Sequence, residues 1–110
     1  MSVTIQPLIQ SQQIANAFTA YFTAAGYTRV DAMTLYNPRG NAAELVTIEW
    51  VPSGGGTGAA SIIVEQNCLA GVPYNIFALI GQTLAPGDKI YAKGATGGLV
   101  NLFASGTVTS

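Results

Sequence analysis

Apolar and polar residues alternate in short runs along most of this chain, and glycine or proline separates the runs. From Tyr27 to Asn37, Val30, Ala32, Thr34 and Tyr36 fall on one parity, and Arg29, Asp31, Met33 and Leu35 on the other. A period of two is the signature of a strand. The second parity begins polar and turns apolar, so the solvent-facing side is expected to become covered further along. Ala43–Val51 repeats the pattern, with Glu44, Val46, Ile48 and Trp50 on one face and Leu45, Thr47, Glu49 and Val51 on the other. Ile48 and Trp50 are the candidates for a core between two sheets. Ser61–Glu65, Tyr74–Ile80, Lys89–Lys93 and Leu99–Val108 supply further segments, and Lys89–Lys93 alternates most cleanly.

The breaks carry turn chemistry. Asn37-Pro38-Arg39-Gly40-Asn41 combines a fixed φ with a residue that tolerates positive φ. Leu84-Ala85-Pro86-Gly87-Asp88 suits a type II turn, with Pro86 second and Gly87 third. Ala24–Gly26, Ala70–Pro73 and Gly94–Gly98 turn the chain as well. The N-terminal region is ambiguous. Val3-Thr4-Ile5-Gln6 alternates, and Pro7 belongs at a strand end or a sheet edge. Ile14, Ala17, Phe18, Tyr21 and Phe22 recur at three and four, a helical period, and Gln12 and Gln13 favour helix. Thr19, Tyr21 and Thr23 favour strand.

About seven to eight short strands at a spacing of about 8–12 residues describe a sandwich or barrel. The expected fold is an all-β, antiparallel β-sandwich of jelly-roll or immunoglobulin-like type. A length of 110 residues fits a single domain, residues 1–110, with residues 1–17 an N-terminal arm or an edge strand. Composition then narrows the class. The apolar fraction is 49%, whereas charged residues make up 8%, against about 25% in ordinary domains. Such a surface fits a subunit that buries much of itself against partners, as obligate interfaces do. Net charge is −1 and the four basic residues are scattered, which argues against a nucleic-acid partner. No run approaches the ~18 apolar residues of a membrane helix, and no basic stretch precedes an apolar one at the start. The chain is thus expected to stay where it is made until assembled or released.

Reactive chemistry is sparse. There is no His and only one Cys, Cys68, which cannot form an intrachain disulfide and reads as a small buried hydrophobe. A common zinc site and a nucleophile–His pair both lack their residues. Gly54-Gly55-Gly56-Thr57-Gly58 invites a phosphate-loop interpretation, but no Lys-Ser/Thr and no helix follow. These five residues read instead as a hairpin tip that could order on a partner, and Gly54, Gly55, Gly56, Thr57 and Gly58 form the candidate contact loop. Glu44 and Glu49 lie on opposite parities and do not face each other as a glycosidase pair must. Asp88 follows the Pro-Gly turn and is expected to brace it. The tyrosines are expected in core and rim positions, with hydroxyls reaching polar groups. No catalytic residue, metal, cofactor or small-molecule substrate is expected.

The ordered segments Ala20-Tyr21-Phe22-Thr23-Ala24-Ala25-Gly26, Arg29–Asn37, Trp50-Val51-Pro52-Ser53-Gly54-Gly55, Leu84–Ile90, Gly98-Leu99-Val100-Asn101-Leu102 and Ser105-Gly106 resemble a family of small β-sandwich virion proteins of tailed bacteriophages. The resemblance covers most of the chain from Ala20 onward. Where family members commonly carry Pro before Gly26, this chain has Ala25. The resemblance implies extended strand at Phe18–Thr23 rather than helix. It also implies a capsid decoration or cement protein that contacts the major capsid protein or other virion proteins. The alternative it leaves is a tail or baseplate accessory protein, with a part in host-surface adsorption. Self-association as a dimer or trimer, assembly in the host cytoplasm and a final place in the virion go with this expectation.

Overall fold

A computed structural model describes residues 3–109; Met1 and Ser2 of the expected N-terminal arm, and Ser110, lie outside the described residues. The described residues form nine strands: β1 (Val3–Gln13), β2 (Thr19–Thr23), β3 (Tyr27–Tyr36), β4 (Glu44–Val51), β5 (Ile62–Cys68), β6 (Pro73–Asn75), β7 (Thr83–Leu84), β8 (Lys89–Gly94) and β9 (Asn101–Thr109). They build two sheets. One has the order β1-β9-β3-β6, with β7 also pairing with β3, and the other has the order β2-β8-β4-β5. Every paired strand is antiparallel. We call them the β9 sheet and the β8 sheet.

The two sheets pack face to face, as in a β-sandwich. Ile9, Val30, Met33, Leu35, Leu102 and Ala104 come from the β9 sheet, and Val46, Ile48, Ile90 and Ala92 from the β8 sheet; all belong to one buried cluster. Each fully buried aliphatic side chain contributes about 1.5–3 kcal/mol relative to exposure. Trp50 packs against this cluster from a partly buried position. The Ala85–Asp88 turn has the expected form: Asp88 N–H donates to the Ala85 carbonyl at 3.0 Å, and Gly87 has φ of 89°.

Simple alternation fails at β-bulges. In β3 the pairing with β9 slips between Val30 and Ala32, so Asp31 is the extra residue. Val30, Met33 and Leu35 consequently share the core face, although their numbers put them on different parities. A slip of one residue exchanges the faces of everything beyond it. The helical spacing near the N-terminus has a similar cause. Ile14 is buried at the bend after β1, and Tyr21 sits in a bulge of β2 between Ala20 and Phe22. Adjacent Tyr21 and Phe22 both pack against the core as a result, which mimics a three–four repeat within extended chain. Tyr74–Ile80 also differs from expectation. Only Pro73–Asn75 is strand; the chain then turns, with Leu79 N–H and Ile80 N–H both donating to the Ile76 carbonyl. Ile76 and Leu79 still reach the core from this turn, which is why the segment reads as apolar.

Candidate functional site

The glycine-rich connection joins β4 to β5 within the β8 sheet. Gly55 N–H donates to the Pro52 carbonyl at 2.8 Å and closes a first turn, for which Gly54 adopts φ of 80°. Ala59–Ser61 then forms one 3₁₀ turn, with Ser61 N–H on the Gly58 carbonyl at 3.0 Å. Residues 52–60 are all exposed. The candidate loop Gly54–Gly58 therefore stands on the surface at one end of the β8 sheet.

Two buried carboxylates hold its two ends. Ser53 N–H donates to Asp88 Oδ1 at 3.0 Å, and Gly58 N–H donates to Glu49 Oε1 at 2.7 Å. Between these anchors Gly54 and Gly56 have open space where a side chain would stand. Glu49 pairs with Tyr91 across the ladder and occupies the outward face of β4, yet it is only 1% exposed. Its Oε2 is buried without a hydrogen-bond partner. Trp50, Pro52, Ala60, Ser61, Ile63 and Asp88 border a shallow cavity of about 310 Å³ at the root of the loop.

Asp88 is the more completely satisfied anchor. It accepts from Ala85 N–H at 3.0 Å, from the Trp50 indole Nε1 at 3.2 Å and from Ser53 N–H. Burial alone would raise its pKa, but these three donors outweigh burial and hold it below the usual carboxylate value. A depressed folded-state pKa contributes stability above the unfolded-state value of about 4 and loses it as pH falls through the folded value. The stability difference between the native protein and Asp88→Asn should thus be largest at neutral pH and shrink below about pH 4. Urea denaturation across pH measures this, and a difference that stays constant would contradict it.

The remaining candidates are dispersed. Glu44 faces the interior near the opposite end of β4, where it accepts from Thr96 N–H at 3.0 Å and Gly97 N–H at 2.8 Å. Asp31 is paired with Arg29 at 2.6 Å and accepts from Thr107 Oγ1 at 2.7 Å on the surface. Glu65 is exposed. Among the described residues no three His, Cys, Asp or Glu side chains gather as a metal site. Cys68 is fully buried, and burial foremost, with the nearby charge of Glu44, pushes its thiol up to about 11. Tyr21 and Tyr74 accept through their hydroxyls from Ala15 N–H and Leu69 N–H, whereas Tyr27 stays exposed.

Sequence reasoning weighed Glu44 and Glu49 only as catalytic groups and overlooked their bracing role. It also overlooked Asn37, whose buried amide donates to the Ala42 and Cys68 carbonyls at 2.8 and 3.0 Å. The sequence shows only their setting, two glutamates in one largely apolar strand, and not the backbone amides that each meets. Comparison with protein families finds no matching family, and comparison with curated proteins finds no similar sequence.

Proposed function

We propose that this chain is a bacteriophage structural protein, a capsid cement or decoration protein that stabilises the shell through contacts with major capsid subunits. The observation that carries the proposal is how the carboxylates are used. Glu44, Glu49 and Asp88 are buried and bound to backbone N–H groups that fix loop shape. Their disposition favours presentation of a defined surface over acid–base chemistry. The resemblance of the ordered segments from Ala20 onward to small virion proteins supplies the phage context. Many copies of one modest contact suffice on a lattice, because each bound copy acts among neighbours.

Gly54–Gly58 is the proposed contact loop, exposed at its tip and anchored at its ends. Deleting Gly55 and Gly56 removes the Gly55 N–H to Pro52 carbonyl bond but retains Ser53, Asp88, Gly58 and Glu49, the residues of both anchors. The deletion should cost less than about 1 kcal/mol of folding stability, since surface changes away from packed features usually have small effects. It should weaken binding to shells lacking the protein at least tenfold. Denaturation and shell co-sedimentation measure the two effects. Equal loss of stability and binding would make the loop a fold requirement only.

A further inference from the structure

The outward face of the β9 sheet differs sharply from that of the β8 sheet. Residues paired across antiparallel strands share a face. The ladder register therefore places Val3, Thr109 and Tyr27 in one outward row, and Ile5, Thr107 and Arg29 in the next. Pro7, Ser105 and Ala32 follow, and then Phe103 with Thr34. The only charges in these rows belong to Arg29, which is bonded to neighbouring Asp31, so the pair leaves the face without net charge. By contrast, the outward face of the β8 sheet carries Lys89, Lys93 and Glu65, and the glycine-rich loop is tied down over Glu49.

Two features of the β9 face are complementary in shape. Ile5 is 82% exposed, the most exposed large apolar side chain among the described residues. A cleft of about 400 Å³ opens further along the same strands, lined chiefly by Pro7, Ile9, Ala32, Thr34, Phe103 and Ser105. It lies where β1 slips register between Pro7 and Ile9, and β3 between Val30 and Ala32. The Ile5 row and the cleft are separated by about three residues of β9, or about 10 Å.

We propose that this face binds a second copy of the chain about a twofold axis, with Ile5 of each copy seated in the cleft of the other. A protruding group and a cleft on one face are both satisfied at once by a twofold axis that crosses the strands midway between them, near Pro7 and Gly106. The neutral Arg29–Asp31 pair brings no uncompensated like charge to the contact. Three long strands, β1, β9 and β3, of about ten residues each give a face of about 33 by 14 Å, roughly 460 Å² before side-chain relief is counted, and the short β6 and β7 extend it beside β3. That is of the order of the ~800 Å² of accessible surface that each partner loses in a standard interface. The total accessible surface of 5647 Å² accommodates such a patch and leaves the glycine-rich loop free.

The inference deepens the assembly function proposed above by naming one partner, and its test is read in solution without shells, so either can fail alone. Sedimentation equilibrium of the native protein should give twice the chain mass. Ile5→Lys and Ala32→Lys should each weaken the dimer at least a hundredfold, with the circular dichroism and melting temperature of the folded subunit retained. Phe77→Lys, a change at an equally exposed apolar residue outside the rows, should leave the dimer intact. A native protein that sediments as a monomer overturns the proposal. A dimer that survives both lysine substitutions also overturns it, and points to edge pairing through β1 instead.

Discussion

Replacing Gly106 with alanine is expected to destabilise the fold by about 3 kcal/mol or more, the upper range for overpacking a rigid site. Gly106 lies in β9, the strand between β1 and β3, and pairs with Gln6 on one side and Val30 on the other. Both neighbours carry their bulges beside it. A Cβ at this position meets the Arg29 carbonyl oxygen, and Leu8 Cδ1 at 2.7 Å. Leu8 can rotate away. The Arg29 carbonyl cannot, because it is backbone of a strand held on both flanks. Relief therefore needs a shift in the β3–β9 ladder itself. Against a typical total of about 5–15 kcal/mol, such a loss is large. Gly56→Ala is the control. Gly56 has open space at the Cβ position and no positive φ, so its change should stay within about 0.5 kcal/mol. Urea denaturation of both variants measures the contrast, and equal stabilities would contradict the packing described for β9.

The second large effect is expected at Glu44. Its carboxylate is 2% exposed and satisfies Thr96 N–H and Gly97 N–H in the β8–β9 connection. Thr96 is exposed and Gly97 half-buried, so the freed N–H groups can turn to water, and the loss is that of the charge-assisted hydrogen bonds themselves. Glu44→Ala should thus cost about 1.5–3 kcal/mol, and Glu44→Gln less, because one oxygen remains. The surroundings are shaped for the carboxylate: a Cβ at Gly94 would meet Glu44 Oε2 at 2.8 Å. Amide hydrogen exchange adds a local readout. Exchange at Thr96 and Gly97 should accelerate more than exchange at Ile48 in the strand core. Unchanged protection at these two amides would mean that the loop holds its shape without Glu44.

The sandwich was legible because turns and alternation are local. Pro86-Gly87 fixes its own turn, and Ile48, Ile90 and Ala92 alternate inward from strands that run without interruption. The bulges at Leu8, Tyr21 and Asp31 were not legible. Each depends on how a neighbouring strand is registered, and that neighbour is distant in sequence. The short strands β6 and β7 were hidden for another reason: they flank β3 in succession and are too brief to show a period. Within the candidate site, the exposed glycine tip could be read from composition. Its anchors could not be, since a glutamate in a strand looks the same whether it faces water or a backbone amide. Glu49 is such a case at Gly58, and so is Glu44 away from this loop, whose partners in the β8–β9 connection lie 52 and 53 residues away. Asp88 was the exception, since part of its bonding lies within its own turn.

The assembly function proposed for this chain is tested most directly by the heat resistance of phage shells that lack the protein. Saturating such shells with purified chain should raise their disruption temperature, with bound copies in fixed proportion to capsid subunits. An unchanged disruption temperature at saturation would contradict a cement function.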